Sequence, residues 1–344
     1  MLQDDTWFES YDQTKLYLRR WLPSQYSTTA ESALQPGFVS QPESASQPLA
    51  IVHIVHGMAE HAGRYRRLAE KLCAAGIEVW AADQRGHGKT ADLSVNSPDK
   101  GGLLGHCADK DTFSRVTADI NGINREIRKT HPGIPLFLMG HSWGSFIVQN
   151  YIEDDGAREA INGCILSGTR GPNNAKMKAG KSFMTLLASI KGQRKGSLLA
   201  RAVADGPYNR PFRPNRTSFD WISRDEAEVN AYVNDPCSGN LCSVGFYRDL
   251  IKGIYQIHQP AAMTQIRRDL PIYIFCGNAD PVGEMGDSPA ALVNTYRSVG
   301  IQDLEFVLYP GARHETLNET NRDEVMTNLL SWINRHIQQT PERK

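Results

Sequence analysis

PLFLMGHSWG, residues 135–144, decides the fold. An apolar run of strand length ends at Met139, and Gly140-His141-Ser142-Trp143-Gly144 fits the pattern G-x-S-x-G. A helical pattern opens at Trp143. A serine between a strand and a helix sits on a sharp turn that lifts its hydroxyl clear of the backbone. Glycine on both flanks permits close contacts that any side chain would block. The helix N-terminus behind the serine favours developing negative charge. The bland alternative is an ordinary strand-to-helix turn.

Working outward, short apolar runs alternate with helical patterns. Residues 49–55 read as a buried strand, and 77–82, 161–166, 272–276 and 304–309 as further strands. Tyr65, Leu68, Ala69, Leu72 and Cys73 recur at helical spacing, as do Phe113, Val116, Ile120, Ile123 and Ile127. Val325, Leu329, Trp332, Ile333 and Ile337 mark a final helix. This alternation implies an α/β fold: crossover units, a mostly parallel sheet and helices on both faces. Covered faces also explain strands that are continuously apolar. Ahead of them, residues 7–22 read as a hairpin of two short strands around Asp12-Gln13-Thr14.

Two stretches break the rhythm. Residues 24–48 hold six Ser, four Gln and three Pro, and read as a flexible surface insertion. Residues 170–218 carry eleven Lys or Arg against one acidic residue, Asp205, around the apolar SFMTLLASI of 182–190. We read 170–262 as a helical lid, with the core divided into an N-terminal part, 1–169, and a C-terminal part, 263–344.

A serine hydroxyl is a weak nucleophile and needs a base. Of ten histidines, His314 in YPGARHE follows the last strand and precedes the last helix. Loops at the carboxyl ends of parallel strands converge on one crevice, which puts His314 within reach of Ser142. The imidazole needs an orienting carboxylate. Asp280, in CGNADPVG, directly follows the strand IYIFC. The order Ser142, Asp280, His314 is the one expected for this arrangement. Asp235 is the second choice of acid, and Asp83 reads as structural. An oxyanion hole takes backbone donors, here the N–H groups of Trp143 and of Met58 in the loop after residues 49–55. His56 reads as a support for that loop.

With these residues in view, the chain resembles the α/β-hydrolases of the monoacylglycerol lipase and lysophospholipase group. HGMAEHAGRY (56–65), DQRGHGKT (83–90), GHSWGS (140–145), DWISRDEAEVNAYVNDP (220–236) and GNADPVG (277–283) carry the resemblance, which spans nearly all of the chain except 24–48. It implies the α/β-hydrolase fold with a lid and a serine carboxylester hydrolase without metal or organic cofactor. It also assigns Glu60 and Arg64 to a polar head group, against the plainer reading of a salt bridge at a helix start. The chain departs from the group in its long 24–48 insertion and in Trp143, which stands where a smaller apolar residue is usual. Both bear on substrate choice.

Composition closes off other classes. Thirty-eight basic and 38 acidic side chains balance over 344 residues, unlike a nucleic-acid binder. No apolar run reaches the ~18 residues of a membrane span, and the acidic start lacks a signal-peptide pattern, so a cytoplasmic protein is expected. The six cysteines are scattered, and Cys237 with Cys242 lacks the second pair of a zinc set. Gly88-Lys89-Thr90 lacks the upstream glycine of a phosphate loop, because Asp83 stands there. The apolar lid flanked by positive charge suits an anionic bilayer, and equally suits a solvated basic face. The expected partner is a single-chain lipid ester. The rivals are a short-chain esterase or peptidase acting on soluble substrates, and a non-catalytic binder on the same fold.

Overall fold

The computed structural model describes residues 1–24, 47–154, 159–172 and 174–339. Most of the insertion expected at 24–48 lies outside them. One eight-stranded sheet organises the chain, in the order β1-β2-β4-β3-β5-β6-β7-β8. The strands are β1 (Leu2–Glu9), β2 (Lys15–Leu22), β3 (Ala50–Val55), β4 (Ile77–Ala82), β5 (Leu136–His141), β6 (Gly163–Ser167), β7 (Ile272–Gly277) and β8 (Leu304–Tyr309). The hairpin β1–β2 and the pair β2–β4 are antiparallel, and every pairing from β4 through β8 is parallel.

Side-chain alternation splits the core in two. Ile51, Val55, Leu136 and Leu138 pack on one face, while Val52, Ile54, Phe137 and Met139 pack on the other. The first face is covered by α2 (Thr112–Thr130), α3 (Trp143–Ile152) and α7 (Val244–Ile257), the second by α1 (Arg66–Ala74) and α10 (Arg322–Gln339). Helices on both sides leave β3, β4, β5 and β7 wholly buried.

Strand β1 begins five residues earlier than the hairpin expected at 7–22. Its first residues, LQDDT, are exposed and mostly polar because β1 is an edge strand, so no buried face marks them. The hairpin is nevertheless anchored. Arg85, fully buried, forks onto Asp12 at 2.8 Å through both terminal nitrogens and onto Asp119 at 2.6 and 2.7 Å. Ser10 donates its hydroxyl to the same Asp119 carboxylate.

Between β6 and β7 the chain forms α4 (Asn174–Lys191), α5 (Leu198–Ala204), α6 (Glu226–Asn234), α7 and α8 (Pro260–Met263). Helix α7 lies against α2 and α3, and α4 lies across α7. Apolar side chains on α4 and α5 remain exposed, among them Leu186, Ile190, Leu198 and Val203.

Strand order positions the site. β3 has β4 on one side and β5 on the other, so the chain reverses its direction of progress there. The loops leaving β3 and β5 therefore open a crevice at their carboxyl ends. β7 and β8 point the same way and send their loops to the same edge.

Candidate active site

Ser142 follows β5 and precedes α3 with φ 51° and ψ −122°, a backbone shape that L-residues rarely adopt. Its N–H donates to Ser167 O at 2.9 Å, which ties the turn to β6. A methyl group on Gly144 would collide with the carbonyl oxygens of Val55 and His56, and one on Gly140 with the backbone of Gly144 and Ser145. Both glycines are therefore demanded by close approach.

The loops after β7 and β8 bring Asp280 and His314 to this turn. His314 Nε2 lies 2.8 Å from Ser142 Oγ, and His314 Nδ1 lies 2.9 Å from Asp280 Oδ2. Asp280 Oδ1 accepts the Val282 N–H at 2.9 Å, so the carboxylate is held on both oxygens. Asp280 and His314 are buried. Burial alone would lower the pKa of His314, but the charge and hydrogen bond of Asp280 raise it above the ordinary imidazole value. The His141 ring sits 4.9 Å away, where burial and the nearby His314 drop its pKa to about 4 and keep it neutral. Trp221 tilts against His314 at 5.1 Å from the 170–262 segment.

The loop after β3 forms the facing wall. His56 Nε2 accepts the Gln84 N–H at 2.9 Å, which leaves the proton on Nδ1, 2.8 Å from Gly57 O. His56 thus braces the loop. Glu60 Oε1 accepts from Gly57 N at 2.5 Å and from the Tyr65 hydroxyl at 2.8 Å. Ala59 O accepts from the Tyr232 hydroxyl and Gly239 N, which fastens the loop to the insertion. Met58 lines the cleft with Ser142. Trp143 is the first residue of α3, where a backbone N–H has no acceptor within the helix. Its indole is buried, 5.2 Å from His87 and 5.0 Å from Phe246, so the core absorbs its bulk and the cleft mouth does not meet it.

Glu60 also lines the cleft, whereas Arg64 lines an adjoining cavity beside His141. Arg64 reaches Glu60 at 2.8 Å and Glu315 at 2.6 and 2.7 Å. Asp235 is engaged elsewhere, at 2.7 Å from His61 Nε2. Asp83 accepts the N–H groups of Ala62 and Lys89 and is structural. All six cysteines are unpaired. Among the described residues, no three His, Cys, Asp or Glu side chains gather to hold a metal ion.

The cleft is completed by residues that sequence reading did not single out for it, including Arg201, Asp205, Phe219, Trp221, Tyr232 and Tyr247. All come from 170–262, whose path over the sheet no periodicity encodes. Glu315 was also missed. Only its place beside His314 would have drawn attention to it.

The model of a protein family described as serine aminopeptidase, S33 matches residues 46–321. The chain belongs to this family. It is 30% identical to a monoacylglycerol lipase of Mycolicibacterium smegmatis over 85% of its length and 90% of that protein. It is 26% identical to the Homo sapiens monoglyceride lipase over 85% of its length and 83% of that protein. In structure it resembles a thermostable carboxyl esterase from Bacillus coagulans, with a TM-score of 0.81, 26% identity and coverage of 98% and 99%. The protein is thus an α/β serine hydrolase of the monoglyceride lipase and esterase group. No helix among its described residues is long and apolar enough to cross a membrane.

Proposed function

We propose that the protein hydrolyses esters of single-chain lipids, monoacylglycerols or lysophospholipids, through an acyl-enzyme on Ser142. The observation that carries this reading is the unbroken relay from Ser142 Oγ through His314 to Asp280, with both links under 3 Å. His314 takes the Ser142 proton as the oxygen attacks the ester carbonyl. The N–H groups of Met58 and Trp143 stabilise the oxyanion. His314 returns the proton to the leaving alcohol, then activates the water that releases the acid. Asp280 stabilises the imidazolium in both halves. Glu60 faces the head group from the cleft wall, and Arg64 stands behind it and fixes its carboxylate.

The lipid choice is supported by the monoacylglycerol lipase relatives and by the exposed apolar residues of α4 and α5 among basic neighbours. That surface suits peripheral contact with an anionic bilayer. A second reading, an esterase or peptidase for small soluble substrates, is favoured by the aminopeptidase description of the family and the esterase likeness.

A fluorophosphonate probe tests the nucleophile. It labels the intact protein and fails on Ser142→Ala. Acyl glycerols, lysophospholipids and simple esters of increasing chain length test the substrate. Activity that climbs to long chains supports the lipid reading, and activity confined to short chains supports the second.

A further inference from the structure

Among the eleven basic side chains of 170–218, the single acidic residue lies in the catalytic cleft. Asp205 caps the C-terminus of α5, and its side chain is 11% exposed. It lines the cleft together with Ser142, His314 and Arg201. Arg201, one helical turn earlier, holds its Nε 3.8 Å from Asp205 Oδ2 and lays its guanidinium over the Phe219 ring at 4.8 Å. The other carboxylate oxygen, Oδ1, is buried and accepts no hydrogen bond from any other described residue. A buried acceptor without a donor is destabilising, so such atoms in a native structure call for an explanation. Here burial pushes the carboxyl up to about 6, against the lowering influences of the Arg201 charge and of its own backbone N–H.

We propose that Asp205 is a specificity-determining residue that accepts a hydrogen bond from a neutral hydroxyl group of the substrate, with Arg201 as the matching donor. The pair is net neutral. A phosphate approaching Arg201 meets the carboxylate, and a quaternary ammonium approaching Asp205 meets the guanidinium. A vicinal diol satisfies both, with one hydroxyl donating to the Asp205 carboxylate and its neighbour accepting from Arg201. A site built to bond a substrate hydroxyl discriminates against the analogue that lacks it, because its own polar groups are then left unpaired. The inference rests on ester hydrolysis at Ser142 and not on a long acyl chain.

The test uses short, soluble esters of one acid: glyceryl monobutyrate, methyl butyrate, butyrylcholine and p-nitrophenyl butyrate. The quantity read is the ratio of kcat/KM for the glyceryl ester to that for the methyl ester. Asp205→Leu is expected to lower this ratio roughly tenfold, the scale of one lost hydrogen bond to a charged acceptor. Asp205→Asn, which keeps an acceptor oxygen, is expected to fall between. A ratio also cancels any loss of folded protein in a variant. The proposal is overturned if the ratio is the same in wild type and Asp205→Leu, as it would be if solvent alone met the carboxylate. It is equally overturned if wild type favours butyrylcholine and Asp205→Leu removes that preference. Failure of long-chain lipids in the chain-length panel would remove the lipid reading and leave this ratio standing. Absence of turnover on p-nitrophenyl butyrate would overturn both.

Discussion

Arg64 and Glu315 meet fork to fork, Nη1 to Oε1 at 2.6 Å and Nη2 to Oε2 at 2.7 Å. Arg64 also holds Glu60, which accepts the N–H of Gly57, and Glu315 is the neighbour of His314. One guanidinium therefore ties the loop after β3 to the loop that carries the imidazole. These three side chains are nearly buried, so their geometry is strict.

Lysine cannot reproduce a two-pronged contact. Arg64→Lys is expected to lower kcat about tenfold on a methyl ester, the scale of one charge-assisted hydrogen bond, with little change in KM. A contact made only to a polar head group would instead raise KM for glyceryl esters and spare the methyl ester. Arg64→Ala leaves two buried carboxylates unpaired and should cost about 3 kcal/mol in denaturant unfolding.

The pH dependence follows from His314. Its pKa is lowered by burial, but the charge and hydrogen bond of Asp280 more than offset that and set it above 6.5. Only the neutral ring accepts the serine proton, so kcat/KM should rise with pH through a midpoint above 6.5 and then level. Asp280→Asn removes the largest raising influences and leaves the weaker ones of Glu315 and Glu60. Its residual activity, reduced by about 10³-fold or more, should keep a rising limb displaced to lower pH. A pH–rate profile on a soluble ester checks this. A wild-type midpoint below 6.5, or a limb that stays in place in Asp280→Asn, would speak against it.

Arg85 predicts stability rather than rate. Its guanidinium is fully buried between Asp12 and Asp119 and does not line the cleft at Ser142. Arg85→Met strands the Asp119 carboxylate in the core and should cost about 3–5 kcal/mol, measured as a lower urea midpoint. Loss of less than about 1 kcal/mol would mean that the hairpin is not fastened through this pair.

Gly144→Ala places a methyl against the carbonyls of Val55 and His56. The turn must shift to relieve the clash, and displacement of a nucleophile by about 1 Å can cost 10²-fold in rate. The variant should lose kcat by roughly that factor, together with fluorophosphonate labelling rate. Labelling as fast as in wild type would show that the turn accommodates the methyl.

The strands from β3 to β7 were legible because both faces are covered, so each reads as a largely apolar run, and the edge strand β8, only partly buried, still shows an apolar majority in LEFVLY. The amino-terminal part of β1 was not legible, since an exposed edge strand has no buried face to imprint a pattern. Ser142, Asp280 and His314 were legible because each directly follows a strand or ends the loop after one, and parallel strands deliver their loops to one place. Asp205 and Glu315 escaped for the opposite reason. Asp205 reaches the cleft through the packing of the 170–262 helices, and Glu315 acts through a partner 251 positions away. Neither relationship leaves a local spacing to read. The bulk of Trp143 likewise pointed to the cleft mouth, while its indole turns into the core.

The left-handed twist at Ser142 has an evolutionary corollary. An L-residue held there stores roughly 1–3 kcal/mol of backbone distortion, which glycine would release. A descendant freed from the need for turnover would gain robustness by changing that one codon. Directed evolution for heat resistance, run without an activity filter, should therefore enrich Ser142→Gly and recover hardier but inert molecules.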